Sequence, residues 1–362
     1  MRIRTDRTHK THSAHTSHLL RYEPRNHNRI TCYNLLMDLK SLPKIELHRH
    51  LEGSVRPRTV AEICRERGVP LPTYDPDELA RLITLSKPVE NLAAFLELFK
   101  TIDLCFTDKE AIARIAYEAT EDASLDNIRY VELRFSVECM AYHHRLSLRD
   151  VMDGIVEGVD LAMRKLPVIA RLIISISRDM SAETMGVPWP EPAELARLAV
   201  DYMDRGVVGL DLSGREFGFG AELFIEPFKI AKDAGLGITV HAGEADGPQS
   251  VRAAVELLGA TRIGHGVRIV QDPSVVQMAV DRGVTLEVCP TSNVLTHAVE
   301  SLEAHPVRKL FDAGVPITIN TDDPAVCGVT LTGEYSLIHE KFGFSLEEIE
   351  QLDENARKAR FV

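Results

Sequence analysis

Lys44-Ile45-Glu46-Leu47-His48-Arg49-His50 is a short run of strand-forming residues that ends in two histidines two positions apart. Side chains of a strand repeat with a period of two, so both imidazoles leave on one face and can chelate a metal together. Three further segments end in the same way. Gly237-Ile238-Thr239-Val240 runs into His241-Ala242-Gly243-Glu244, Arg262-Ile263 into Gly264-His265-Gly266, and Pro316-Ile317-Thr318-Ile319-Asn320 into Thr321-Asp322-Asp323-Pro324. A lone His-x-His is a weak metal signal because such short motifs match by chance. Compatible ligands at three separate strand ends make it much stronger: His48, His50, His241 and Asp322 offer three nitrogens and one oxygen, a set that suits zinc, with a further position left for water.

Working outward, similar apolar runs occur at Tyr130 to Ser136, Arg171 to Ser177 and Val207 to Gly214. The series continues at Gly237 to Glu244, Arg262 to Val267, Thr285 to Asn293 and Pro316 to Pro324. With the first run they number eight. Helical patterns lie between them, as at Leu148 to Leu166, Glu194 to Arg205, Glu222 to Ala234 and Val251 to Leu258. Regular alternation over about 320 residues predicts an α/β fold with a parallel sheet closed into a (β/α)8 TIM barrel, whose active site lies at the carboxyl ends of the strands. All four motifs fall there.

The longest connection, from Leu51 to Asn127, reads as a helical insertion after strand 1. Leu92, Phe95, Leu96 and Phe99 fall at i, i+3, i+4 and i+7 and form one apolar stripe. A stripe of this kind packs a helix on the barrel rim or lids the pocket; the exit of the insertion from the metal-binding strand end favours a lid.

Composition narrows the function classes. A net charge of −12 argues against a nucleic-acid surface and suits a soluble enzyme for small neutral substrates. No run of about eighteen apolar residues occurs, so no membrane span is expected. The six cysteines, Cys32, Cys64, Cys105, Cys139, Cys289 and Cys327, lack C-x-x-C spacing and read as reduced thiols of a cytoplasmic enzyme. Residues 1–36 differ from the rest, with net charge +5 and five of the fourteen histidines. A metal-binding tail or a targeting peptide are functional readings of that segment. The preferred one is a disordered tail or an over-extended start, because so polar a stretch cannot bury a core. Residues 37–362 then form a single metal-dependent domain.

The chemistry follows from the ligands. Zinc lowers the pKa of water toward neutrality and so supplies a nucleophile. Attack on the C6–N bond of a purine also needs a proton at N1 and then on the departing amine. Glu244, three residues beyond His241, is placed to give it, unless it instead caps the following helix. His265, flanked by glycines, would orient or deprotonate the attacking water, with Asp322 bridging metal and imidazole. Asp323 is left to bond the N7 side of the ring. Gly214 either offers a backbone N–H to a planar base or is only a turn.

These residues resemble the adenosine deaminase family, a branch of the amidohydrolase barrels, and especially its bacterial members. The match runs from Leu42 to about Phe361. It includes Pro43 to Ser54, Asp211 to Glu216, His241 to Glu244, Arg262 to Val267, Cys289-Pro290-Thr291-Ser292-Asn293 and Asn320 to Pro324. The resemblance implies one zinc per chain on His48, His50, His241 and Asp322, with Glu244 as proton donor and His265 assisting the hydroxide. It also implies a substrate pocket lined by His50, Glu52, Gly214 and Asp323, closed by the helix around Phe95 and Phe99. The implied reaction is hydrolysis of adenosine and 2′-deoxyadenosine to inosine and 2′-deoxyinosine plus ammonia.

Two departures stand out. Glu52 occupies a position where adenosine-acting members often have Asp associated with a ribose hydroxyl. Glu there also occurs in relatives acting on adenine or on modified nucleosides such as 6-aminofutalosine, which gives the alternative substrates. Two residues past His50, it is expected at the mouth beside the metal. The family also usually continues into another helix beyond the residue equivalent to Val362, and a truncated end could weaken closure of the barrel without touching the site. A binuclear relative would carry a lysine at the end of strand 4, where this chain has Ser213-Gly214, and a cytidine-type deaminase would show H-x-E and P-C-x-x-C, which are absent. The remaining alternative is a catalytically silent nucleoside-binding protein, which would be free to lose the acid, base and ligand set kept here. Oligomeric state is not encoded in these patterns.

Overall fold

A computed structural model describes residues 39–362; the expectation for residues 1–36 lies outside them. Eight parallel strands follow one another in sequence order around the sheet. They are β1 (Lys44–His50), β2 (Ile128–Phe135), β3 (Ile169–Ser177), β4 (Val207–Ser213), β5 (Gly237–Ala242), β6 (Arg262–His265), β7 (Thr285–Val288) and β8 (Ile317–Ile319). The expected α/β barrel, with its helical insertion after the first strand, is what forms.

The later strands are shorter than their apolar runs. The run from Thr285 to Asn293 is strand only to Val288, because Pro290 fixes φ for the first turn of a helix that continues to Leu295. Likewise β8 stops at Ile319, and Asn320 to Asp322 leave it to meet β1.

That meeting closes the barrel. Asp322 N–H donates to the His48 carbonyl at 3.0 Å, and His50 N–H donates to the Asp322 carbonyl at 2.8 Å. Side chains complete the seam: Asn320 Oδ1 accepts from Leu47 N–H at 3.0 Å and Asp353 Oδ1 from Ile45 N–H at 2.8 Å. Along β1, Ile45 and Leu47 pack on the inner face with Tyr130, against Ala356 of the last helix, Leu346–Ala359. Glu46 faces outward, pairing with Arg49 at 3.2 Å, and an irregularity in the strand between Glu46 and Arg49 brings His48 round to the interior beside Glu287.

The end of the chain seals the opposite mouth rather than leaving it weak. Phe361 N–H donates to Glu132 Oε1 at 2.8 Å, the Tyr130 hydroxyl donates to the Phe361 carbonyl at 2.6 Å, and the Arg262 guanidinium lies 3.7 Å from the Phe361 ring centre. The expectation of weak closure is therefore corrected. Gly237 makes room for the ring, since a Cβ there would sit 2.2 Å from Phe361 Cγ. Gly237→Ala is expected to destabilise the barrel by about 1–3 kcal/mol through overpacking, read as a lower midpoint of urea unfolding. An unchanged midpoint would show that Phe361 does not plug the barrel.

Charged side chains fill the barrel interior above this plug. Arg262 pairs with Glu132 and Glu287, each at 2.6 Å, and Arg134 pairs with Glu287 at 2.6 Å. Buried charges are tolerable only when so paired. They also form the floor on which the histidines at the strand ends stand.

Candidate active site

Above that floor, the carboxyl ends of β1, β4, β5, β6 and β8 deliver their polar side chains into one cavity of about 490 Å³. His50, Glu52, Gly214, His241, Glu244, His265, Asp322 and Asp323 all line it, as do Phe95 and Phe99. His48 lies just beneath, fully buried.

Two ligand candidates have their tautomers fixed from below. His48 Nδ1 meets Glu287 Oε2 at 2.8 Å, and His241 Nδ1 meets Asp211 Oδ1 at 3.1 Å. Burial would raise both carboxyl pKa values, but Arg134 and Arg262 hold Glu287 well below the usual range, and His241 and Arg134 do the same for Asp211. Both therefore stay ionised and accept, each histidine keeps its proton on Nδ1, and each Nε2 presents a bare lone pair upward. His48 Nε2 is buried without a hydrogen-bond partner, an arrangement that costs free energy unless a cation takes the lone pair.

The lone pairs converge. His48 Nε2 is 3.1 Å and His50 Nε2 3.4 Å from Asp322 Oδ1, and His50 Nε2 is 3.2 Å from His241 Nε2. A tetrahedral zinc site with bonds near 2.05 Å has ligand–ligand edges of about 3.3–3.5 Å, and these three separations are close to that length. His265 is a competing donor: with His48, His241 and Asp322 it offers ligand atoms all within 4.8 Å of one another. Its Nε2 lies farther off, 4.0 Å from Asp322 Oδ2, the oxygen that also accepts from Ser292 Oγ at 2.6 Å. Among the described residues, then, a metal can be held by a histidine and aspartate cluster at this point.

The backbone is strained where it matters. His265 has φ 63° and Asp322 φ 62°, left-handed values that cost a non-glycine residue on the order of 1 kcal/mol or more. Those turns swing both side chains over the strand ends. Gly264 accepts the crowding, because a Cβ there would lie 2.9 Å from the His48 ring.

Glu244 does not cap the following helix. Its Oε1 accepts from Thr296 Oγ1 at 3.1 Å and its Oε2 lies 3.6 Å from His265 Nε2. Burial, reinforced by Asp322 and Glu216, pushes its pKa up to about 8, so the carboxyl holds a proton at neutral pH. The turn is organised instead by Glu216, whose carboxylate accepts from the N–H groups of Gly243, Glu244, Ala245 and Asp246 at 2.6–3.1 Å. Burial, with Asp322 and Glu52 nearby, also raises Asp323 well above the carboxylate range.

Glu52 is corrected in one respect: it is 7% exposed, buried in the cavity wall rather than at a wet mouth. Its Oε1 accepts from Ser136 N–H at 2.7 Å, Oε2 has no partner, and burial lifts its pKa to about 7. Gly214 has φ 82° and borders the cavity beside Asp179. The apolar stripe is not one continuous helix but two short ones, Leu92–Leu96 and Phe99–Ile102, with the Phe95 and Phe99 rings 5.7 Å apart over the cavity.

Glu287, Ser292, Asn293 and Glu216 hold the functional side chains in place, and none was assigned a role from the sequence. The motif context of Glu216, Ser292 and Asn293 was visible. Glu287, inside an ordinary strand, gave no signal beyond a charge in an apolar run.

Known proteins resemble this chain over most of its length. The adenosine deaminase family model matches residues 43–362. The chain is 38% identical to an adenosine deaminase of Shewanella denitrificans over 323 residues, covering 89% of this chain and 95% of that one. It superposes on an adenine deaminase from Arthrobacter aurescens with TM-score 0.79 at 26% identity, covering 88% of this chain and 94% of the other. It also superposes on an amidohydrolase from Burkholderia ambifaria solved with bound zinc, with TM-score 0.80 at 28% identity over 95% and 90% of the two chains. With the strand-end histidines, the buried acid and a family match running from β1 to the last residue, the chain belongs to the adenosine deaminase family of hydrolytic deaminases.

Proposed function

We propose that the chain hydrolyses adenosine and 2′-deoxyadenosine to inosine and 2′-deoxyinosine, releasing ammonia, with one zinc ion held by His48, His50, His241 and Asp322. The observation that carries this reading is Glu244, a buried carboxyl kept protonated at neutral pH beside the histidine cluster. Zinc, when bound, would lower the pKa of a water toward neutrality. The residues supply the rest. Glu244 gives its proton to N1 as the ring loses aromaticity at C6, takes one back from the hydroxyl added at C6, and passes it to the departing amine. Asp323 faces N7, an acceptor; only a protonated carboxyl can donate there, and its raised pKa supports that state. Phe95 and Phe99 cover the base and exclude water.

The cavity wall favours a nucleoside over the alternatives. Beyond the histidines it is lined by Glu52, Asp103, Ser136 and Ser177, groups that bond sugar hydroxyls and that a free adenine would leave unused. The same acidic wall disfavours a 5′-phosphate and the carboxylate of 6-aminofutalosine. Of the two basic residues at the rim, Lys100 pairs with Glu97 at 2.7 Å and Arg215 faces Asp179 at 3.8 Å. A small-molecule purine nucleoside is thus the proposed partner. No helix among the described residues is long and apolar enough to cross a membrane, and the described cysteines are free; a cytoplasmic location is the compartment this reading favours.

A substrate panel read by the ultraviolet change on deamination tests the assignment: adenosine and 2′-deoxyadenosine should exceed adenine, AMP and 6-aminofutalosine in kcat/KM. Glu52→Ala should raise KM for adenosine by ~10-fold, the loss of a charged hydrogen bond of about 1.5–3 kcal/mol, and leave adenine turnover and zinc content unchanged. Equal losses for base and nucleoside would remove Glu52 from sugar recognition.

A further inference from the structure

His265 is tied to two residues that lie outside the histidine cluster. Asn293 sits in the helix Pro290–Leu295 after β7, and His305 lies in the loop that follows; both are buried, Asn293 completely and His305 to 5% exposure. The hydrogen bonds form a line. Val307 N–H lies 3.2 Å from His305 Nδ1, His305 Nε2 lies 3.3 Å from Asn293 Oδ1, and Asn293 Nδ2 lies 2.9 Å from His265 Nδ1.

The direction of each bond is forced from its far end. A backbone N–H can only donate, so His305 Nδ1 accepts and its proton resides on Nε2. That N–H fixes the Asn293 amide with Oδ1 toward His305 and Nδ2 toward His265. An amide nitrogen can only donate, so His265 Nδ1 accepts, and the proton of the neutral ring is on Nε2. The surroundings of Nε2 agree, for it faces the Asp322 carboxylate, with Oδ2 at 4.0 Å. His48 and His241, held by carboxylates beneath them, carry the opposite tautomer.

We propose that Asn293 and His305 are positioning residues that hold His265 in the Nε2–H tautomer, so that its imidazole meets the attacking water as a hydrogen-bond donor and not as a base. Neither nitrogen of the ring then has a free lone pair. His265 orients the oxygen nucleophile, and its proton stays where the line of bonds puts it. The kinetic part of this inference rests on the deaminase reading; the tautomer does not.

The tautomer is read directly by long-range nitrogen–proton correlation on protein labelled with nitrogen-15 histidine, with His265 assigned by the signal lost in His265→Gln. The wild-type spectrum, with and without zinc, should show a protonated Nε2 and an unprotonated Nδ1 at His265; the reverse pattern overturns the proposal with no variant needed. Asn293→Asp replaces the donor by an acceptor and should move the proton to Nδ1, lowering kcat by ~10–100-fold with KM for adenosine changed less than about threefold. His305→Phe should release the amide and cost kcat in the same sense, whereas His305→Gln, which restores an N–H toward Asn293, should recover most of it. An Asn293→Asp protein that keeps the Nε2–H tautomer and wild-type kcat overturns the inference. Should that variant not fold, the wild-type spectrum and the His305 pair decide. Protein with the expected tautomer but no turnover of adenosine would instead count against the substrate reading alone.

Discussion

Glu244→Gln is expected to lower kcat for adenosine by at least ~10²-fold, and up to ~10⁴-fold, while zinc content and thermal stability stay at wild-type levels. The amide keeps the size of the side chain and can still accept from Thr296 Oγ1, the one hydrogen bond Glu244 Oε1 makes at 3.1 Å, so the packing around it has no reason to change. What it cannot do is release a proton to N1. The wild-type carboxyl can, because burial together with Asp322 and Glu216 lifts it to about 8 and keeps the acid form present at neutral pH. Binding should suffer little, since the Gln N–H still donates toward a ring nitrogen; the loss belongs in kcat and not in KM. Steady-state kinetics beside metal analysis of the same sample check this. Turnover near the wild-type rate would mean that another group delivers the proton, and the next nearest candidate is Asp323, also held protonated in the cavity wall.

Most of the site was legible in the sequence because strand ends are written twice, once in the apolar run that makes the strand and again in the polar residue that follows it. His48, His241, His265 and Asp322 each stand directly after such a run, and the (β/α)8 order that the runs imply places them at one end of the barrel. Less legible were residues that act through others. Glu287 lies within β7, where its charge looks like a defect; only the closed barrel shows it beneath His48 and between Arg134 and Arg262. Glu216 is separated from the turn it organises by the whole of β5, and no local pattern announces that its carboxylate will gather four backbone N–H groups. Glu52 was placed by spacing but not by depth, because the single helical turn Glu52–Ser54 tucks it under the cavity wall. The apolar stripe at Leu92 to Phe99 was read from its period, which is blind to the break at Glu97 and Leu98.

The fourth metal ligand separates two histidines that the sequence places in similar positions. Replacing His48, His50, His241 or Asp322 by alanine should remove zinc and activity together. Losing a direct ligand should weaken binding by more than the ~10–100-fold typical of a residue that merely supports one. His265→Ala should keep its zinc and lose activity alone. The distances favour this division. His50 Nε2 stands 3.4 Å from Asp322 Oδ1 and 3.2 Å from His241 Nε2, spans that one ion can bridge, whereas His265 Nε2 is 4.0 Å from the nearer Asp322 oxygen. The hydrogen-bond line through Asn293 points the same way, since an Nε2 that carries a proton has no lone pair to give a metal. Folding should survive each change, because the core of the barrel is built from the charged floor and the apolar layer outside it; a thermal melt beside the metal assay verifies that. If His265→Ala loses zinc while His50→Ala retains it, the ligand set is His48, His241, His265 and Asp322. His50 would then be a pocket residue facing the substrate, and the tautomer assigned to His265 would fall with the ligand set.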